Sequence, residues 1–160
     1  MVIDDIDRRL MLFLLREGRI QTKILAERIG LSAPAVAERI RRLEDAGVIK
    51  GYAARIDLAK LGLGVHAFMR VAAHASQGPA LLKAFEACPE ILEVNKVTGD
   101  DSYVLRLVVK SVQDLERVIA RLSVGVRLST AIVLATESDA DAALERLLER
   151  LPVKQSRPAH

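Results

Sequence analysis

Cysteine is almost missing from this chain. Cys88 is the only one in 160 residues, so neither an internal disulfide nor a thiolate metal cluster can form. Cys88 ends a predicted helix among apolar neighbours, which implies a buried, inert thiol. Tryptophan is absent and Tyr52 and Tyr103 are the only tyrosines, too few for a platform on which single-stranded bases stack. No apolar run approaches the roughly 20 residues that a membrane helix needs. No glycine-rich phosphate loop or nucleophile elbow is present. His66 and His74 fit one face of a strand, but no Cys, Asp or Glu completes a metal set. The opening MVIDDIDRRL is acidic and amphipathic, unlike a signal or transit peptide. Together these features predict a cytoplasmic protein with no cofactor, no metal and no membrane partner.

What is present is a core and an uneven charge. At 51% apolar and 28% charged residues the chain can fold. Its formal charge of +3 lies wholly in residues 1–64, where twelve Lys/Arg face nine Asp/Glu; the remainder holds twelve of each. A modestly basic domain beside a neutral one suits a nucleic-acid binder with a separate regulatory or assembly unit, although an unevenly solvated surface gives the same count.

The hydrophobic period divides the chain in the same place. Residues 4–17, 21–29 and 33–46 read as amphipathic helices. Asp4 and Asp5 suit the positive end of the first helix dipole. Ser32 is a good N-cap, Pro34 fits the first turn, and Gly47 ends the third helix. Residues 48–57 read as a strand or hairpin wing, and 58–64 as a hinge. From residue 65 the order is strand 66–74, helix 79–88, strand 91–97, strand 103–110, a helix from Ser111 to Gly125, and strand 128–136. This βαββαβ order predicts a ferredoxin-like plait. A last helix over 139–151 carries Leu144, Leu147, Leu148 and Leu151 on one face. The fold class is therefore α+β, with domains at 1–52 and 65–137, a linker strand and hinge at 53–64, and a C-terminal helix and tail at 138–160.

Residues 22–41 fit a helix-turn-helix. Ala26 is small where the helices touch, and Gly30 tolerates the positive φ of the turn. Leu25, Ile29, Leu31, Val36 and Ile40 hold the helices together. Ser32, Pro34, Ala35, Glu38, Arg41 and Arg42 lie away from that buried stripe, small and polar first and basic further on, as a major-groove reader requires. Arg39 flanks the stripe, placed either to reach phosphate or to brace the helix. An ordinary helical hairpin is the competing reading.

The run Ile6-Asp7, Leu10, Leu14, Gly18-Arg19, Leu25-Ala26, Gly30-Leu31-Ser32, Val36, Arg39-Ile40, Leu43-Glu44, Gly47-Val48-Ile49 and Gly51-Tyr52 resembles the Lrp/AsnC (leucine-responsive, feast/famine) regulators. The likeness continues through Val97-Thr98-Gly99-Asp100 and Leu122-Ser123-Val124-Gly125-Val126. It implies a winged helix-turn-helix joined to a ligand-sensing plait, homodimers packed sheet to sheet, and octameric discs built from them. It further implies double-stranded DNA as partner and an amino acid or related metabolite as effector, and no enzymatic activity.

By position, that resemblance places the effector at Thr98, Gly99, Asp100, Asp101, Ser102 and Tyr103. Backbone N–H groups there suit a carboxylate and an acidic side chain an ammonium. Asp101 stands where the family commonly has an aromatic residue, and Ser102 where it has Asp. An acidic β-turn without a ligand is the alternative. Two further readings of the whole chain remain: an architectural DNA-binding protein without effector, and a tetrapyrrole decarboxylase-like enzyme on the same fold.

Overall fold

A computed structural model describes residues 2–152. They form two compact units, one from the described parts of Met1–Arg55 and Glu137–His160, the other from Ile56–Thr136.

The first unit is helical: α1 (Asp5–Arg16), α2 (Thr22–Ile29), α3 (Ala33–Asp45) and α6 (Ala140–Arg150). Leu10, Leu25, Ala26, Ile29 and Val36 form its buried centre, with Ile6, Phe13 and Ile40 packed around them. These are the positions that helical spacing selects. The helix at the C-terminal end belongs with α1: Arg16 Nε donates to Glu145 Oε2 at 2.9 Å, and Arg8 Nη1 to the Glu149 carbonyl at 2.8 Å. Arg55 reaches Asp139 at 3.0 Å and Asp141 at 3.1 Å, at the start of the same helix.

The expected strand or hairpin wing over 48–57 requires correction. Residues 51–57 have no strand structure. The segment carries the β-favouring Val48, Ile49, Tyr52 and Ile56, but among the described residues no other stretch pairs with it to complete a ladder. Side chains hold it instead: the Tyr52 hydroxyl donates to Glu44 Oε1 at 2.9 Å, and Arg55 pairs with Asp139 and Asp141.

The second unit is the plait. β1 (Val65–Ala72), α4 (Gly78–Glu86), β2 (Ile91–Lys96), β3 (Tyr103–Val109), α5 (Val112–Leu122) and β4 (Arg127–Ile132) follow one another. The sheet order is β2-β3-β1-β4, antiparallel throughout. Some strand ends fall short of the expected ones: β1 stops at Ala72, leaving His74 outside it, and β4 stops at Ile132. Strand alternation sends Ala67, Met69, Val71, Leu105 and Leu107 toward α4 and α5, where they join Leu81, Phe85, Leu115 and Val118. Tyr103 ends this row, its ring edge-on to Phe85 with centroids 5.5 Å apart. Cys88 is buried in the same core, as expected. The opposite sheet face is mixed. Phe68 is exposed there beside Arg70 and Arg106, and Arg106 Nε donates to Glu93 Oε2 at 3.1 Å.

Candidate functional site

The turn between α2 and α3 is built as its residues demand. Gly30 takes φ 82°, a left-handed value that ends α2, and Leu31 N–H donates to the Ala26 carbonyl at 3.1 Å. Ser32 caps α3 in an extended conformation, and Pro34 occupies its first turn. Val36 and Leu43 are fully buried, which turns Ser32, Pro34, Glu38, Arg41 and Arg42 outward. Ala35 is half-buried at the edge of that face.

The three arginines of α3 do different things. Arg41 stays on the surface, its Nη2 donating to Glu38 Oε1 at 2.8 Å and its Nη1 reaching Asp45 at 3.3 Å. The hydrogen bond from Arg41 holds the Glu38 carboxyl below its ordinary value. Arg39 turns inward, its Nη1 donating to Asp7 at 2.7 Å and to Asp4 at 2.8 Å. Of the two roles open to it, the structure shows the brace. Arg42 is divided: its Nη2 meets both Asp7 oxygens, at 3.1 and 2.9 Å, yet the side chain remains 48% exposed.

The inward bonds of Arg39 and Arg42 meet at Asp7, which is fully buried. Its Oδ2 also accepts the Asp4 backbone N–H at 3.2 Å, while Asp4 Oδ1 accepts the Asp7 N–H at 2.8 Å, a reciprocal cap on α1. A buried carboxylate is tolerable only when paired and hydrogen-bonded. Here two guanidinium groups from α3 and one amide do so. Asp7 was not among the sequence-predicted site residues. An acid in a first helical turn is explained locally by the dipole, and nothing local announces partners on a helix more than one element away.

The loop at 98–103 divides its residues. Gly99 has φ +107°, and Asp100 is exposed on the rim of a cleft of about 600 Å³. His74, Gln77, Ser123 and Arg127 line the same cleft, and Gln77 Nε2 braces it by donating to the Gly125 carbonyl at 2.8 Å. Asp101 lies 3.9 Å from Arg70. Ser102 pins the loop to the end of β1: its hydroxyl donates to the Ala73 carbonyl at 2.9 Å and its N–H to the Val71 carbonyl at 2.7 Å. Tyr103 is 6% exposed and its side chain belongs to the core. Thr98 is exposed. The 72–77 and 123–127 walls carry no pocket signal of their own, although residues 122–126 form part of the family resemblance.

Comparison with known proteins completes the description. A winged helix-turn-helix DNA-binding family matches residues 3–50, and the Lrp/AsnC ligand binding domain matches residues 66–143. The HTH-type transcriptional regulator LrpA of Mycobacterium tuberculosis is 38% identical over 140 residues, covering 84% of this chain and 91% of that one. The chain belongs to the Lrp/AsnC family of transcriptional regulators. The expected family and its α+β architecture are thus shown. Among solved structures, LrpC of Bacillus subtilis superposes with a TM-score of 0.81 at 28% identity, covering 88% of this chain and 99% of that one. The feast or famine regulatory protein of M. tuberculosis complexed with L-methionine gives 0.75 at 37%, covering 85% and 95%. Among the described residues of this Lrp/AsnC regulator, no helix is long and apolar enough to cross a membrane, and no group of side chains is arranged for a metal.

The Asp4 cap on α1 is sensitive to pH. Burial pushes its carboxyl up, but hydrogen bonds from the Asp7 amide and Arg39 outweigh this and leave it below the ordinary 3.8. A lowered folded value contributes stability that is complete above the unfolded value and is lost as pH falls through the folded one. Acid unfolding should therefore take this contribution away only below about pH 3.8. Asp4→Asn should be less stable at neutral pH and lose less on acidification. Parallel acid-unfolding curves for the two proteins would contradict the assignment.

Proposed function

We infer that this regulator reads double-stranded DNA with α3, and that a small metabolite, an amino acid, changes its DNA affinity by binding in the Asp100 cleft. The observation that carries the DNA reading is the division of α3: its rear is locked to Asp4 and Asp7 while its outer face is left to solvent. In this reading Ser32, Pro34, Ala35 and Glu38 approach base edges, and Arg41 and Arg42 approach phosphates. Arg39 acts from behind by fixing the helix. The Arg41 pairs with Glu38 and Asp45 are surface pairs of little net worth, so a phosphate can displace them.

The effector reading rests on the cleft's chemistry. Asp100 and Arg127 put opposite charges on one rim, as an α-ammonium and an α-carboxylate require. The M. tuberculosis regulatory protein complexed with L-methionine supports the same class of ligand. The cleft is open, which suits completion by a neighbouring subunit and would couple occupancy to assembly. A homodimer formed over the outer sheet face covers Phe68, 45% exposed, and pairs two recognition helices for a two-fold operator. Dimers would then assemble further, up to an octamer.

Arg41→Ala should weaken operator binding and reduce the slope of log affinity against log salt by about one, because one phosphate contact is lost. Glu38→Ala should instead change sequence preference. An unaltered salt slope in folded Arg41→Ala would remove Arg41 from the interface. Calorimetry with L-methionine and the other amino acids should give saturable binding that Asp100→Ala abolishes, and light scattering of the same samples should give at least twice the chain mass. Ligand-independent operator affinity would favour the architectural reading, and a single-chain mass would exclude the dimer.

A further inference from the structure

The plait has a second cleft, at the other end of its strands. β1 pairs Val71 with Tyr103, near the Asp100 loop, and Val65 with Val109 at its opposite end. The second cleft, about 360 Å³, is lined there by Val109 and Lys110 together with Leu63. Strand rise puts about 20 Å between the two. Its volume falls in the range of small-molecule sites.

Its charges are arranged unequally. Lys110, Arg117 and Arg121 face Glu90 and Asp114. Both carboxylates are already occupied. Arg121 Nη2 donates to Glu90 Oε2 at 2.9 Å, and Arg117 Nη1 lies 2.9 Å from Asp114 Oδ1. The second Asp114 oxygen accepts the Ser111 hydroxyl at 2.8 Å. Arg121 is steadied further by Cys88 Sγ, 3.1 Å from its Nη2. Burial and the neighbouring Glu90 push the Cys88 thiol up. Lys110 alone has no ion-pair partner among the described residues. The cleft therefore carries one uncompensated positive charge beside the apolar side chain of Leu63.

We propose that this cleft binds a small organic carboxylate with a branched apolar body and no ammonium group. The carboxylate takes the Lys110 ammonium, and the apolar body lies on Leu63. An amino acid is disfavoured here because its ammonium would meet three cations and find no unpaired carboxylate. That is the reverse of the Asp100 cleft, so the two sites select different ligands.

Isothermal titration of the full chain with 4-methylpentanoate tests this, with L-leucine and inorganic phosphate as comparisons in the Asp100→Ala background. One 4-methylpentanoate should bind per chain. Lys110→Ala, a change at an exposed side chain, should weaken it about tenfold, as loss of one charge-assisted hydrogen bond implies. Asp100→Ala should leave it unchanged, and leucine and phosphate should each bind at least about tenfold more weakly. The proposal is overturned by an absence of 4-methylpentanoate binding, by full affinity in Lys110→Ala, or by loss of binding in Asp100→Ala. Leucine binding equally well would overturn the exclusion of an ammonium, and phosphate binding equally well would reduce the site to a simple anion site.

Discussion

The buried carboxylate of Asp7 is the constraint on which the helical unit depends. A fully desolvated charge leaves few arrangements open, because any geometry that strands it costs several kcal/mol. Asp7 is satisfied by Arg39 and Arg42 of α3 and by the amide of Asp4. Hydrophobic contacts through Leu10, Leu25 and Val36 bring α1, α2 and α3 together but are non-directional. The ion pairs add direction: they set the rotation of α3 about its own axis, and so which residues face outward. The face proposed to read DNA is in this sense specified from the protein's interior.

The plait solves a different problem with similar means. Its core is apolar on one sheet face, and its ends carry the chemistry. At one end a loop held by Ser102 presents Asp100 to an open cleft containing Arg127. At the other, carboxylates neutralised by Arg117 and Arg121 leave Lys110 unmatched among the described residues. Charge pairing, rather than pocket size, separates what the two ends can hold. One offers both signs, and the other offers a single excess cation.

Much of this was legible in the sequence where local rules decide the outcome. Gly30, Ser32 and Pro34 announced the turn and the start of α3, and the change of period after residue 64 announced the plait. Legibility failed where the partner is distant or missing. Residues 48–57 have strand composition but find no pairing partner among the described residues, so composition misled. Arg42 looked like a simple outward cation because Asp7, its partner, is remote in sequence. Tyr103 was placed at the loop by position, whereas packing against Phe85 assigns its ring to the core. The cleft walls at 72–77 and 123–127 meet only through the fold, and neither is recognisable as half of a pocket by itself.

A double-mutant cycle between Asp7 and Arg39 tests the central claim most directly, with unfolding free energy as the measured quantity. Asp7→Ala and Arg39→Ala should each destabilise the protein by about 3 kcal/mol, since each breaks the ion pair to a fully buried carboxylate. The double variant should lose little more than either single one, giving a coupling of about 2 kcal/mol or more. Losses that simply add would show that the two side chains do not act on each other. The rotation of α3 would then have to come from apolar packing alone.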